Sequence, residues 1–128
     1  MKRFAVLFLL LLTVAVMHAQ SSNNTTQKQL RHVVLFRFKD GTSPQDIQKV
    51  EEAFRALPSK IKEIKGFEWG INNSPEKLNE GLTHCFFLTF DSEKGRDIYL
   101  PHPAHKAFGA ILKPYLDKVV VVDYWVNK

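Results

Sequence analysis

The chain has 128 residues, with 18 lysine and arginine residues against 13 aspartate and glutamate residues. The basic residues are scattered along predicted helices and turns, which argues against a nucleic-acid-binding surface, so we expect no nucleic-acid partner. Cys85 is the single cysteine and excludes an intrachain disulfide, and the sequence has no Cys/His spacing typical of zinc sites, so we expect no metal site and no cofactor.

The N-terminal segment has the pattern of a secretory signal peptide. Residues 1–3 are basic after the initiating methionine, residues 4–17 are apolar apart from one threonine, and the small Ala19 follows. The apolar run is shorter than the roughly 20 residues that a membrane span needs, so we expect no stable span after cleavage. The sequence therefore predicts a signal peptide over residues 1–19 and a periplasmic or extracellular protein.

Residues 20–29 are polar and lack apolar periodicity, which predicts a disordered spacer, and residues 30–128 have the length of one domain. Alternation at every second residue predicts strands, and apolar stripes at helical spacing predict helices. Ser43 is expected to cap the first helix, and Pro58 is expected to end it. In chain order the prediction is a strand at 30–38, a helix at 44–57, strands at 67–72 and 83–90, helices at 92–100 and 104–113, and a strand at 118–126.

This order of elements is that of an α+β, ferredoxin-like β-α-β-β-α-β sandwich, with helices on one face of an antiparallel sheet. A sheet of this kind should be polar on its other face, yet that face also carries apolar side chains at Val33, Leu35, Phe87, Val120 and Val122. The chain has no spare element to cover them. We therefore expect a homodimer in which two sheets pack face to face into an α/β barrel.

Three ionisable residues interrupt apolar strand faces, namely His32, His84 and Asp123. Each needs a partner, a water molecule or a ligand, because burying an unpaired ionisable group is costly. The sandwich order allows all three to face the helices and share one cavity. The alternative for each histidine is an ordinary core residue with satisfied hydrogen bonds.

A second group of candidates surrounds the proline-flanked break before the last helix. His102 and His105 lie in the segment His-Pro-Ala-His, and Tyr99 directly precedes it. A histidine, a tyrosine and the carboxylate of Asp123 at an apolar pocket would form an acid/base set: the imidazole moves a proton, the phenol binds a carbonyl oxygen, and the carboxylate orients the ring. Alternatively, Tyr99 packs under a helix, and His102 either caps a helix or lies on the surface.

From His32 onward the chain resembles the stress-responsive dimeric α/β-barrel (Dabb) family. The resemblance rests on the opening HVVLFRFKDG, the pair Trp69-Gly70, the start of the third strand at His84, the HPAH segment followed by Phe108, and the closing VVVVDYW. Proteins of this family are ferredoxin-like monomers that dimerise through their sheets. The resemblance thus implies the same fold and the same assembly.

The family includes a plant cyclase that closes a linear polyketide by an aldol reaction. By that likeness His105 corresponds to the catalytic base, Tyr99 to the phenol that polarises the carbonyl, and Asp123 to the carboxylate that supports the histidine. An exported protein meets no pool of coenzyme A thioesters, so the polyketide reaction itself is not implied. The expected ligand pocket is lined by His32, His84, His102, Val34, Phe36, Phe54, Phe86 and Phe108.

Three functions remain open on the sequence. The first is acid/base chemistry of the cyclase or lyase type on a small apolar carbonyl or phenolic compound. The second is a stress-response dimer that binds such a molecule without catalysis. The third is haem handling, because other dimeric ferredoxin-like barrels bind haem and a histidine could ligate its iron.

Overall fold

A computed structural model describes residues 28–127 of the chain. The predicted signal peptide, residues 20–27 of the predicted spacer and the last residue lie outside the described residues. Within the described range, no helix is both long enough and apolar enough to cross a bilayer.

The described residues form four strands and four helical segments. In chain order these are β1 (Leu30–Phe38), α1 (Pro44–Arg55), α2 (Leu57–Lys60), β2 (Gly66–Ile71), β3 (His84–Phe90), α3 (Glu93–Tyr99), α4 (Pro103–Leu112) and β4 (Leu116–Trp125).

The first helix begins as predicted and ends differently. The hydroxyl of Ser43 accepts a hydrogen bond from the backbone N–H of Asp46 at 3.1 Å, which satisfies one of the free donors of the first turn. The prediction that Pro58 ends the helix was wrong. The helix ends at Arg55, and Pro58 is the second residue of α2, where its missing N–H would have had no helical partner in any case.

The strands form one antiparallel sheet in the order β2-β3-β1-β4. This is the predicted ferredoxin-like fold. In the registers of β1 with its two neighbours, Phe36 lies opposite both His84 and Val119. Directly opposed residues point to the same face of a sheet, so β1, β3 and β4 present matched rows to the helices.

Aromatic rings fill the centre of the core between α1 and the sheet. Phe36, Phe54 and Phe86 are fully buried. The ring centroids of Phe54 and Phe86 are 4.1 Å apart and nearly parallel, and those of Phe36 and Phe86 are 5.2 Å apart. Phe108 of α4 closes the cluster from above, at 4.4 Å from Phe54. These four residues were expected to line a pocket; in the structure they pack against one another as solid core.

Two surfaces of β4 remain uncovered within one chain. On the helix side, Val119 and Val121 are 44% and 51% exposed, even though they share a face with the buried core of β1. On the opposite face, here called the open face, Val122 and Tyr124 are 48% and 45% exposed. The chain therefore carries apolar surface on both sides of its last strand.

Replacing Phe54 by alanine should destabilise the protein strongly, because the cavity would open in the middle of the stacked rings. We expect the free energy of unfolding to fall by about 3–5 kcal/mol in urea denaturation followed by circular dichroism. The control Leu78→Ala removes a side chain that is 79% exposed and should change stability by less than about 0.5 kcal/mol. A loss below about 1 kcal/mol for Phe54→Ala would contradict this view of the core.

Candidate functional site

Helix α3 brings Tyr99 under the sheet end formed by β1, β3 and β4. Ser92 caps the helix by accepting from the N–H of Gly95 at 3.1 Å. Glu93, Arg96 and Tyr99 are three residues apart and therefore lie on one side of the helix. Two bonds to β4 fix that side: Trp125 Nε1 donates to Glu93 at 3.3 Å, and Arg96 donates to Asp123 at 2.9 Å.

Helix α4 brings His105 beside this phenol. Its first turn is set by His102, whose Nδ1 accepts from the N–H of Ala104 at 3.1 Å, and by Pro103 at the first helical position. His102 is thus the helix cap, which was one of the alternatives left open for it. The ring of His105 lies 4.4 Å from that of Tyr99, centroid to centroid.

The hydrogen bond of His105 determines which of its nitrogens is available for chemistry. Nδ1 lies 2.9 Å from the backbone carbonyl oxygen of Leu100. A carbonyl oxygen can only accept, so Nδ1 carries the proton and donates. In the neutral ring the lone pair is therefore on Nε2, which is the position of a proton acceptor.

His32 and Asp123 form the shortest polar contact of the site. Nδ1 of His32 donates to Oδ1 of Asp123 at 2.6 Å, while Oδ2 of the same carboxylate accepts from Arg96. Burial lowers the pKa of His32, and the bond and charge of Asp123 oppose that change. Asp123 was expected to orient His105. It orients His32 instead, because the β1–β4 register places it directly opposite that residue.

His84 belongs to a different part of the molecule. Its Nε2 lies 3.0 Å from Oε1 of Glu51 on α1, and its Nδ1 lies 2.8 Å from the hydroxyl of Thr83. The β1–β3 register pairs His84 with Phe36, four residues along the strand from His32, or about 13 Å at 3.3 Å per residue. The expectation that the two histidines share a cavity is therefore not met.

Tyr99 has the one buried side-chain polar atom, among the described residues, that lacks a hydrogen-bond partner. Its ring is fully buried and packs edge-on against His32, with centroids 5.6 Å apart. Burial raises the pKa of the phenol well above its ordinary value of 10.0, so the hydroxyl keeps its proton. An unpaired buried hydroxyl costs about 1–3 kcal/mol, which makes it a feature that requires an explanation.

The site thus contains a phenol flanked by two imidazoles, and two of the remaining predicted pocket residues adjoin it: Phe108, whose ring centroid lies 6.3 Å from that of His105, and Val34. Val34 is buried two residues from His32 on the same side of β1. A separate cavity of about 640 Å³ lies on the open face, lined by apolar residues such as Leu35 and Phe87 and reached by His84. It is on the other side of the sheet from Tyr99.

The sequence reasoning missed Arg96 and the helix-side valines of β4. Arg96 looked like one of many surface cations, and nothing in its spacing indicated that α3 would turn it toward Asp123. The alternation in VVVVDYW could have identified Val119 and Val121, since they share the phase of Asp123. No group of three or more metal-ligating side chains with suitable geometry occurs within residues 28–127.

Comparison with known proteins gives matches over the whole described domain. The sequence model of the family described as "Stress responsive A/B Barrel Domain" matches residues 30–126. The chain is 42% identical over 95 residues to the stress-response A/B barrel domain-containing protein HS1 of Arabidopsis thaliana, covering 74% of this chain and 87% of that protein. It is 27% identical over 99 residues to olivetolic acid cyclase of Cannabis sativa, covering 77% of this chain and 98% of the cyclase.

Solved structures with the same fold include an enzyme and a dimer. The hydroxynitrile lyase of Passiflora edulis superimposes with a TM-score of 0.75 at 27% identity, covering 80% of this chain and 96% of the lyase. A dimeric ferredoxin-like protein of Thermobifida fusca superimposes with a TM-score of 0.68 at 30% identity, covering 79% of this chain and 93% of that protein.

The lowered pKa of His32 predicts a specific pH dependence of stability. The unfolded chain, with a histidine pKa near 6.5, binds this proton more tightly than the folded chain does. The contribution of neutral His32 to the free energy of unfolding is therefore complete above pH 6.5. It is lost as the pH falls toward the lower pKa that His32 has in the folded state. Urea unfolding of the wild type and His32→Gln at pH 7.5, 6.5 and 5.5 should show a steeper decline for the wild type. Parallel declines would contradict the assignment.

Proposed function

Because this chain belongs to the stress-responsive A/B barrel (Dabb) family, we propose that it is an exported homodimer that binds a small carbonyl or phenolic compound. The ligand would occupy an apolar pocket beside β4 on the helix side of the sheet. The proposed chemistry is acid/base catalysis of the cyclase or lyase type, with His105 as the proton acceptor and Tyr99 as the hydrogen-bond donor.

The unpaired hydroxyl of Tyr99 is the observation that carries this proposal. Folding alone would favour a phenylalanine here, since the ring is fully buried and its oxygen has no partner among the described residues. A phenol that keeps its proton is suited to donate a hydrogen bond to a carbonyl oxygen, and most strongly when that oxygen gains negative charge. The hydroxyl thus supports a bound oxygen at this position.

The second element of the proposal is a base next to this donor. The neutral His105 ring has its lone pair on Nε2, and its ring lies against that of Tyr99. A proton taken by Nε2 can come from a hydroxyl group or from a carbon next to a carbonyl. In the same step the hydrogen bond from Tyr99 would stabilise the charge on the substrate oxygen.

The exposed valines on the helix side of β4 support a site for the apolar part of the ligand. Val121 lies two residues before Asp123 on the same side of the strand, and Val119 lies two residues earlier. Together they present a row of branched side chains that ends at the polar group of the site. Pockets for small molecules commonly combine such apolar walls with a few polar groups.

The two enzymes among the similar proteins support the same reaction class. A lyase that acts on a hydroxynitrile must accept the hydroxyl proton while the bond to the nitrile carbon breaks, which releases cyanide and leaves a carbonyl. A ring-closing condensation needs the reverse kind of event, in which a carbon acid loses its proton and attacks a carbonyl. Both need one base and one O–H donor, and the predicted export favours a free carbonyl compound over a thioester.

Tyr99→Phe separates a functional hydroxyl from a structural one. We expect its free energy of unfolding to stay unchanged or to rise by about 1 kcal/mol, because an unsatisfied buried group is removed. Turnover of an aromatic hydroxynitrile such as mandelonitrile, followed by the ultraviolet absorbance of the released aldehyde, should fall by about 100-fold.

The companion variant His105→Gln should lose turnover but still bind benzaldehyde, as detected by amide chemical-shift changes. Binding by the wild type without turnover of any hydroxynitrile or dicarbonyl compound tested would favour the non-catalytic stress-response dimer. Loss of stability in Tyr99→Phe, with unchanged turnover, would contradict the proposed role of the phenol.

The proposed homodimer uses the open face of the sheet, and two neighbouring residues of β4 test it. Val122 points to the open face, and Val121 points to the helix side. We expect Val122→Glu to shift the protein from dimer to monomer in sedimentation velocity at micromolar concentration, because a buried unpaired carboxylate is costly. Val121→Glu, the matched control, should remain dimeric. A monomeric wild type or a dimeric Val122→Glu variant would refute the interface.

A further inference from the structure

We propose that Arg96 is a positioning residue that acts through Asp123 to hold the His32 imidazole in one tautomer and Tyr99 against it. The inference rests on the proposed function for its catalytic consequence only. The contact itself is tested below without any substrate.

The carboxylate of Asp123 is held at both oxygens. Oδ1 accepts from His32 at 2.6 Å, and Oδ2 accepts from Arg96 at 2.9 Å. The other edge of the guanidinium is bound by Asp97, whose Oδ1 accepts from Nε at 3.1 Å and from Nη2 at 3.0 Å. The guanidinium is therefore engaged on two sides, and the carboxylate has no freedom to rotate away from the imidazole.

The partly exposed position of the Arg96–Asp123 ion pair makes the Arg96 cation important. Asp123 lies on an edge strand, and its side chain is 25% exposed, close to the 22% of Arg96. His32 beneath them is only 4% exposed. Without its cation the carboxylate would be free to turn to water and leave a buried imidazole without its partner. The Arg96 contact holds the carboxylate in its inward-facing orientation.

The consequence for His32 follows from the hydrogen-bonding roles. A carboxylate accepts, so Nδ1 of His32 donates and the lone pair of the neutral ring is on Nε2. The charged and titratable groups that face this ring are Asp123 from β4, Arg96 and Tyr99 from α3, and His105 from α4. Among these groups only Asp123 bonds to Nδ1 and fixes the His32 tautomer. Only Arg96 bonds to the second oxygen of Asp123 and holds that carboxylate in place.

The same contact also aligns the phenol. Arg96 and Tyr99 are three residues apart on α3, so the bond from Arg96 to β4 holds the side of the helix that presents the Tyr99 ring to His32. A single ion pair thus sets the orientation of one imidazole and one phenol. Misplacement of such groups by about 1 Å costs on the order of 100-fold in rate.

The tautomer of His32 is measured by long-range ¹H–¹⁵N NMR on the full mature chain at a pH where the ring is neutral. We expect the wild type to show the Nδ1–H form. Arg96→Gln should lower the population of this form, and Arg96→Lys should retain it. The control Lys94→Gln should leave it unchanged, since it removes an exposed cation of the same helix and keeps Arg96.

Two results would overturn the inference: an Nε2–H tautomer in the wild type, or a wild-type tautomer population in a folded Arg96→Gln variant. Arg96→Met keeps the aliphatic stem and carries the same expectation if Arg96→Gln does not fold. If neither variant folds, the wild-type spectrum still tests the inference, because an Nε2–H form of His32 would contradict it.

A second experiment measures turnover of mandelonitrile by the Arg96 variants. It distinguishes a failure of this inference from a failure of the proposed function. Arg96→Gln should lower kcat by about tenfold or more with little change in KM, and Arg96→Lys should restore part of it. Absence of turnover in every variant including the wild type would refute the proposed function and leave the tautomer result standing. Full wild-type kcat in Arg96→Gln would refute the catalytic consequence of the positioning.

Discussion

Strand β1 is paired along both of its edges, and its two registers decide which side chains meet in this protein. Every second residue from Leu30 to Phe38 is buried beneath the helices. One of these residues is His32, so the strand carries an ionisable ring into the core. The register with β4 places Asp123 directly opposite, and the buried imidazole gains its partner without any change in the backbone. A shift of the β1–β4 register by one residue would place His32 and Asp123 on opposite faces of the sheet and leave the imidazole unpaired.

The local elements could be predicted from the sequence because their signals are local. Alternation at residues 30–38, the Ser43 cap and the proline before α4 each act within a few positions, and the structure has a strand or a helix at each. The register between strands distant in sequence could not be predicted. His84 and His32 both point to the helix side of the sheet. The β1–β3 register, however, pairs His32 with Leu88 and His84 with Phe36, so the two histidines lie four residues apart along the strands. The partner of Asp123 was misassigned for the same reason.

The orientation of α3 could not be predicted from the sequence either. Arg96 has no sequence feature that separates it from the other cations, and its role emerges only when the helix is docked against the end of β4. His102 shows the converse case. Its proline neighbours indicate a helix start, and capping was one of the interpretations that the sequence left open. Phe36, Phe54 and Phe86 were expected to line a pocket by resemblance to the family, but their rings pack against one another and close the space between them.

The uncovered valines of β4 affect how the protein can be handled as well as what it binds. The strand lies at the edge of the sheet, so one row of its backbone amide and carbonyl groups has no partner within the described chain. An edge with β-branched side chains exposed on both faces is a template for strand addition and aggregation. In the proposed dimer the open face of this edge would be shielded. Solubility would then depend on protomer concentration, and dilution or heating that separates the protomers would promote fibrous or amorphous aggregation through β4.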